Sequence, residues 1–292
     1  MSREKGNQMR DDQYKGIISR VKQFQKGPLE LHNEIIKPNA TYSYSIPDFT
    51  FLSQQWAKEN NAYYFDIIDF LEAVHLGDTE KVNAYKKQLR TQEKVITSLL
   101  PLFTDKSQEQ FDHYWLDLFR ELKSTLKNPL LKERRMVVPL HIVFGDMVQH
   151  ASVACFNFKP QKDAVDLIVL EQHAQKKGEP EYDAGFDYTK GIQLHAKAWT
   201  DVMKSENYGF LGIKSVNTFV NDKPICRRHD TCGVVASEVA RQLLSTDDPM
   251  KLAKSGIVIT DEQVDTLHAR NQKLEAKYGY FPIVAVKSKK ER

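Results

Sequence analysis

The sequence predicts an α+β fold, in which a helical N-terminal region is followed by a core with a mixed sheet and a flanking helix. Two observations lead to this prediction. Apolar residues recur at helical spacing in several segments before residue 132, and three runs of β-branched or apolar residues follow one another between residues 136 and 171. We therefore expect a mainly helical region over residues 1–132 and a core over residues 133–292.

The N-terminal region is predicted to hold several amphipathic helices, with apolar faces within residues 17–24, 64–71 and 114–122. Asp78 and Thr79 suggest a helix start before the basic, amphipathic run over residues 81–99. Residues 41–45, between Pro38 and Pro47, are expected to form a linker. The region could bind a partner or simply brace the core, and its residues leave both interpretations open.

The core begins with three predicted strands. Residues 136–144 are rich in β-branched side chains, Gly145 and Asp146 supply a turn, and residues 149–158 form the returning strand. A second turn over residues 159–162 leads into an apolar run over residues 166–171 that ends on a carboxylate. This order predicts two antiparallel hairpins.

His150 opens the second of these strands and Glu171 closes the third. In an antiparallel pair the start of one strand lies beside the end of the next, so the imidazole and the carboxylate should come within reach of each other. Considered alone, a histidine at a strand end is more commonly a surface or satisfied residue, and a glutamate after an apolar run is more commonly a solvated strand end. Their joint position predicts an acid–imidazole pair.

A helix is predicted to begin beside Cys232, with Asp230 as its N-cap and an apolar face that continues through Leu243. A thiol in the first turn is close to unpaired backbone N–H groups and to the positive end of the helix dipole, and both stabilise a thiolate. Arg227 and Arg228 act in the same direction. The alternative for a single cysteine is that it only fills the core.

The remaining elements surround this helix. A helix over residues 194–204 and a strand over residues 210–216 are predicted between Glu171 and Cys232. After it, residues 257–259 suggest a short strand or a buried turn, and Thr260 begins a helix that runs to about residue 278. Residues 281–286 are expected to be extended before a basic tail.

The order of these motifs resembles the YopJ family of bacterial effector acetyltransferases, whose core is shared with the ubiquitin-like-specific cysteine proteases of clan CE. The segment His150-Ala-Ser-Val is similar to the family's H-x-S-V-V motif, and Ile168-Val-Leu-Glu171 is similar to its I-L-F-E motif. Asp230-Thr-Cys232-Gly-Val is similar to its E-C-G-I-F motif. The resemblance covers roughly residues 135–244 and implies a clan CE core for residues 133–292.

With these roles, Glu171 would orient His150, His150 would take the proton of Cys232, and the thiolate would form a thioester. The backbone N–H of Gly233 would face the developing oxyanion. The family places an oxyanion-hole glutamine six residues before the cysteine, and Cys226 stands at that position here.

The resemblance also implies acetyl-CoA as the acyl donor and a Ser, Thr or Lys of a host protein as the acceptor. It implies inositol hexakisphosphate as activator, a regulatory or substrate-binding role for residues 1–132, and a secreted virulence effector that works in the host cytosol. The basic segment that ends at Lys287-Ser-Lys-Lys290 offers only soft support for phosphate binding.

Two alternatives stay open. A clan CE ubiquitin or ubiquitin-like protease would use the same triad and resolve the thioester with water, although those proteases commonly have tryptophan after the histidine, where this chain has Ala151. A zinc-stabilised binding module would use Cys226, His229 and Cys232 with His150 or His141 as the fourth ligand. If His150 is not the base, His141 and His229 are the next candidates.

Composition excludes some classes of function. The 292 residues are 41% apolar and carry a net charge of +3, so the chain can bury a large core, while basic and acidic residues nearly balance. This balance argues against a nucleic-acid binder. We expect no membrane span and no secretory signal, and three cysteines are too few for a disulfide scaffold. The oligomeric state is not encoded in any visible pattern.

Overall fold

The computed structural model describes Tyr44 and residues 46–103, 118–144, 148–174, 188–205, 211–228 and 231–278. The strands are β1 (Tyr63–Phe65), β2 (Lys94–Thr97), β3 (Leu100–Phe103), β4 (Arg134–Phe144), β5 (Val148–Lys159), β6 (Ala164–Glu171) and β7 (Ser215–Val220). The helices are α1 (Ile46–Glu59), α2 (Ile67–Leu76), α3 (Thr79–Leu89), α4 (118–126), α5 (Tyr188–Lys204), α6 (Cys232–Ser245), α7 (Pro249–Ser255) and α8 (Asp261–Lys277).

These strands form one mixed sheet with the order β1-β2-β4-β5-β6-β7. β4, β5 and β6 are antiparallel neighbours, whereas β2 pairs with β4, and β7 with β6, in parallel. β3 also pairs with β4 in parallel, farther along the strand than β2. The three antiparallel strands lie where the β-branched and apolar runs predicted them, and the α+β class is confirmed.

Helices cover both faces of the sheet because the side chains of each strand alternate between two apolar clusters. In β4, Met136 and Val138 belong to one cluster and Val137 to the other. The first cluster is completed by α2, α3, α4 and α5, and the second by α1, α6, α7 and α8. The predicted apolar face of α6, including Val235 and Val239, is buried against β4 and β5. The sheet therefore fixes α6 along its length.

Two consecutive arginines at the start of β4 hold helix ends on opposite faces of the sheet. Arg134 is fully buried and donates from Nη2 to the carbonyl of Arg90 (2.8 Å), which ends α3, and from Nη1 to Thr125 in α4. Arg135 donates from Nη1 to the carbonyls of Leu243 (3.0 Å) and Leu244 (3.2 Å), at the end of α6. A guanidinium at a helix C-terminus satisfies carbonyls that lack partners and also complements the dipole. Burial lowers the pKa of Arg134 to about 10.

Replacement of Arg135 by methionine is expected to lower the free energy of unfolding by about 3 kcal/mol, because buried carbonyls of α6 lose charged donors. Amide hydrogen exchange should become faster in residues 232–245 and stay unchanged in α3 and α4. The matched control is Arg134→Met, which removes a neighbouring guanidinium from the other face and should accelerate exchange in α3 and α4 instead. The same exchange pattern in both variants would contradict this assignment.

Three short strands before residue 132, β1, β2 and β3, are not predicted by the sequence pattern. The run over residues 81–99 was expected to be one amphipathic segment, but α3 ends at Leu89 and the chain then enters β2. β1, β2 and β3 have three or four residues each, which is too short for a period of two to stand out. Their pairing within one sheet shows that residues on both sides of position 132 build the same core.

The strand predicted over residues 210–216 begins later than expected, because β7 starts at Ser215. Gly212 has φ +57° and turns the chain. The N–H of Ile213 then donates to the carbonyl of Met203 in α5 (2.9 Å), and the N–H of Lys214 donates to the carbonyl of Asp163 (2.9 Å). Leu211 and Ile213 are thus buried against the helix before the strand begins.

The C-terminal elements follow the prediction more closely. Thr260 caps α8 in a capping box with Gln263, and the helix ends at Lys277. Residues 257–259 form neither a strand nor a turn; Ile257 and Ile259 are buried, Val258 is 71% exposed, and the N–H of Ile259 donates to the carbonyl of Ile225 (2.8 Å). The predicted helix over residues 17–24, the extended segment 281–286 and the basic tail lie outside the described residues, as does most of the predicted linker.

None of the helices in the described ranges combines the length and the apolar composition that crossing a bilayer requires.

Candidate active site

His150 and Glu171 are brought together by the register of β5 and β6. Glu171 is paired with Ser152, and His150 lies two residues from Ser152 on the same face of the sheet. The His150 Nε2 and a Glu171 carboxylate oxygen are hydrogen-bonded. The two side chains are 4% and 0% exposed, so this contact is shielded from water.

Glu171 is held in place by neighbours as well as by its strand. Its carboxylate also accepts a hydrogen bond from the backbone N–H of His173 (2.9 Å). The side chain of Asn221 binds the Glu171 backbone twice, since Oδ1 accepts from the Glu171 N–H (2.8 Å) and Nδ2 donates to the Glu171 carbonyl (2.8 Å). Nδ2 donates further to the carbonyl of Lys223 (2.8 Å). The loop after β7 therefore holds the end of β6, the strand that carries the carboxylate.

Cys232 is the first residue of α6, but the predicted N-cap is shifted by one residue. Thr231 is the N-cap, its side chain makes no capping hydrogen bond, and Asp230 lies outside the described residues. The Thr231 hydroxyl instead donates to the carbonyl of Arg228 (2.9 Å). The Arg228 guanidinium pairs with Asp265 of α8 (2.7 Å), so it is engaged with that helix.

The start of α6 offers backbone donors beside the thiol. The N–H of Val235 donates to the carbonyl of Thr231 (3.0 Å), which is the first turn of the helix. The N–H groups of Cys232, Gly233 and Val234 come before it and have no acceptor within the helix. Gly233, which was predicted to donate to an oxyanion, is therefore at a position where its N–H has no intrahelical partner.

The electrostatics of His150 connect all three predicted residues. Burial disfavours the charged ring, but the Glu171 carboxylate and a hydrogen bond with the Cys232 side chain outweigh it and raise the pKa of His150 to about 10. Glu171 and Cys232 therefore both interact with the His150 ring. This arrangement is of the kind with which cysteine-dependent hydrolases and acyltransferases activate a thiol.

The raised pKa predicts how stability depends on pH. His150 binds its proton more tightly in the folded protein, so its contribution is fully present below the ordinary pKa near 6.5 and is lost as pH rises through about 10. Urea unfolding of the wild type and of His150→Gln should therefore show a stability difference that narrows between these two values. A difference that is constant from pH 6 to pH 11 would contradict the protonated, paired state of the ring.

Gly233 is packed against Tyr44, which lies two residues before the start of α1. A Cβ at position 233 would lie 2.8 Å from the Tyr44 Cβ and 2.9 Å from its backbone N. The Tyr44 hydroxyl accepts a hydrogen bond from Asn271 Nδ2 (3.0 Å) and lies 3.2 Å from His268 Nδ1, both in α8. Burial raises the pKa of Tyr44 well above its ordinary value. The residue beside the thiol is thus in contact with a side chain that is anchored on α8.

Gly233→Ala is expected to destabilise the protein by about 1–3 kcal/mol, because the new methyl group must displace Tyr44. Urea unfolding measures this change. Combination with Tyr44→Gly, which removes the Cβ on the other side, should recover part of the loss. If the two substitutions are strictly additive, the close contact does not limit residue 233.

The other residues considered from the sequence have different places. Cys226, which occupies the position of the expected glutamine, is buried with its Sγ 4.0 Å from the Thr231 hydroxyl. His141 lies in β4, paired in register with Ala151, and its register places it on the opposite face from His150. His229 lies outside the described residues. Within the described ranges no group of three or more His, Cys, Asp or Glu is arranged to hold a metal ion. Because His229 is part of the zinc alternative, that alternative is still a hypothesis.

Sequence reasoning did not find Asn221 or Gln172. Both are polar residues beside apolar strands, and nothing in their local pattern separates them from solvated strand ends. Their partners lie 50 and 59 residues away, so only the register of the sheet reveals them.

Comparison with known proteins gives structural similarity alone. No protein-family model and no curated protein matches the chain. Among solved structures it is similar to the Legionella pneumophila effector protein RavZ, with 9% identity and a TM-score of 0.38 over 64% of this chain and 55% of RavZ. It is also similar to the ASFV pS273R protease, with 10% identity and a TM-score of 0.43 over 82% of this chain and 71% of the protease. The chain spans about half the length of the RavZ chain that it matches.

Proposed function

We propose that the chain is a cysteine-dependent enzyme that forms an acyl-enzyme thioester at Cys232. The observation that supports this is the buried His150–Glu171 pair with the Cys232 side chain hydrogen-bonded to the same ring. The protonated ring and the thiolate would form an ion pair, and the thiolate would attack an acyl carbonyl. The carbonyl oxygen would gain negative charge next to the N–H groups at the start of α6, and His150 would protonate the leaving group.

We propose hydrolysis as the second half of this reaction, so that the enzyme is a cysteine peptidase of the clan CE type. Water would then attack the thioester and release the acid. The sequence cue against this reading was Ala151 after His150, but Ala151 is 4% exposed and packs in the core with Val153 and Cys155. A residue in that position packs in the core beneath α6, so its identity alone does not distinguish a protease from an acetyltransferase.

Acetyl transfer is the second candidate, favoured by the three motif matches around His150, Glu171 and Cys232. In this case acetyl-CoA would supply the acyl group, and a Ser, Thr or Lys of a host protein would receive it. Inositol hexakisphosphate would act as the activator. The basic tail to which phosphate binding was assigned lies outside the described residues, and we assign no other site for it. A secreted effector that acts on a host protein is part of both proposals.

The two candidates are separated by a probe comparison. The protein is incubated with suicide probes built on ubiquitin and ubiquitin-like proteins, and in parallel with labelled acetyl-CoA and inositol hexakisphosphate. A stable adduct with a suicide probe at Cys232 supports the peptidase. Acetyl labelling of the protein without probe adducts would replace it by the acetyltransferase, and a stoichiometric zinc ion bound to Cys232 would overturn both.

A further inference from the structure

Gln172 follows Glu171 directly and connects the acid strand to the chain that leads into α6. Its side chain is 2% exposed. Nε2 donates to the carbonyl of Arg228 (2.8 Å) and to the hydroxyl of Thr231 (2.8 Å). The Thr231 hydroxyl donates in turn to the same Arg228 carbonyl (2.9 Å), so the three groups close a ring of hydrogen bonds.

The main chain of Gln172 makes a second connection to the same segment. Its carbonyl accepts hydrogen bonds from the N–H groups of Ile225 (2.8 Å) and Cys226 (3.4 Å). The segment from residue 225 to residue 231 is therefore attached to Gln172 at both ends. Because residue 231 is the N-cap of α6, the position of the helix start depends on these contacts.

Because of these contacts, the Gln172 side chain cannot also donate to an oxyanion. An amide nitrogen has two N–H donors, and both are directed to Arg228 and Thr231. Neither is left for an oxyanion while the ring of hydrogen bonds is intact. Gln172 is thus a poor substitute for the oxyanion-hole glutamine whose position is taken by Cys226.

We propose that Gln172 is a positioning residue that holds Cys232 against His150. This inference rests on the proposed function of Cys232 as the nucleophile. Glu171 orients the His150 ring. Gln172, the next residue in the chain, fixes the start of α6. Two consecutive residues thereby position the acid and the thiol. Thr231 makes no side-chain capping bond, and its hydroxyl is held instead by Gln172.

The test is the rate at which iodoacetamide alkylates Cys232, measured from pH 5 to pH 10 by mass spectrometry of the peptide that contains it. In the wild type, the contact with the His150 ring should make alkylation at pH 6 faster than in His150→Gln, because the ring supports formation of the reactive thiolate. Gln172→Met keeps the bulk but removes both donors. It should lower the rate at pH 6 on the order of tenfold, with little change at pH 10, which lies above the ordinary pKa of a free thiol.

The matched control is Arg135→Met, which loosens the other end of the same helix without touching residues 225–231. It should reduce stability and leave the pH profile of alkylation as in the wild type. Thr231→Val removes the hydroxyl that accepts from Gln172 and should reproduce the Gln172→Met profile. It also decides the case if Gln172→Met does not fold.

The outcomes separate the inference from the function on which it rests. If His150→Gln alkylates like the wild type at pH 6, Cys232 is not activated by the ring and the proposed function fails first. If His150→Gln is slow while folded Gln172→Met and Thr231→Val both keep the wild-type profile, the positioning role of Gln172 is wrong. An equal loss in Arg135→Met would also overturn it, because general loosening of α6 would then explain the effect.

Discussion

Replacement of Cys232 by alanine is expected to abolish labelling by every probe of the acyl-enzyme, with a loss on the order of 10³-fold or more. The reason is that Cys232 is the thiol whose side chain contacts His150, and it is the first residue of α6. The other two thiols are unsuited to replace it. Cys155 is fully buried, and burial raises the pKa of its thiol to about 12. Adduct formation is measured by intact-protein mass spectrometry.

The controls are Cys155→Ala and Cys226→Ala, which remove the two buried thiols one at a time. Both should keep the label, apart from any loss of folded protein. A Cys232→Ala protein that still forms an adduct would show that another side chain is the nucleophile, and the mass of the labelled peptide would identify it.

His150→Gln is expected to lower activity on the order of 10²–10⁴-fold, the range that general acid–base catalysis supplies. Glutamine is chosen because its amide can still donate to the buried Glu171 carboxylate, so the charge is not left without a partner. The fold should therefore persist while proton transfer is lost. The activity is measured with the probe that labels the wild type, and thermal unfolding checks that the variant is folded.

A second substitution separates the contribution of the His150–Glu171 pair to stability from its contribution to activity. His150→Ala leaves the fully buried Glu171 carboxylate without its ring partner and is expected to cost several kcal/mol of stability. Adding Glu171→Gln to His150→Ala should restore much of that stability without restoring activity. If His150→Gln keeps wild-type activity, His141 and His229 become the candidates for the base.

The three antiparallel strands could be predicted because each is long enough for its composition to stand out. β4 has 11 residues and β5 has 12, and both are dominated by β-branched and apolar side chains. Their turns and order then determined which residues face each other. This is why the proximity of His150 and Glu171 followed from sequence, although the exact register, with Ser152 opposite Glu171, did not.

The start of α6 could be predicted only to within a residue. Asp230 and Thr231 are both common N-cap residues, and local propensity does not choose between them. Gln172, which follows β6 and lies 59 residues earlier, donates a hydrogen bond to the Thr231 hydroxyl and holds that residue at the start of the helix. This is a tertiary contact, which local sequence does not reveal. The same is true of the hydrogen bonds between the Asn221 side chain and the Glu171 backbone.

Strands from before and after residue 132 form one sheet, so a fragment that holds only the region around Cys232 would break that sheet. A polypeptide that starts at residue 133 would lack β2 and β3, and the long edge of β4 would face solvent with its parallel partners missing. Unpaired edges of apolar strands recruit other chains and promote aggregation. Fragments for biochemical work should therefore begin before residue 44, so that they contain β1, β2 and β3 together with α6, α7 and α8.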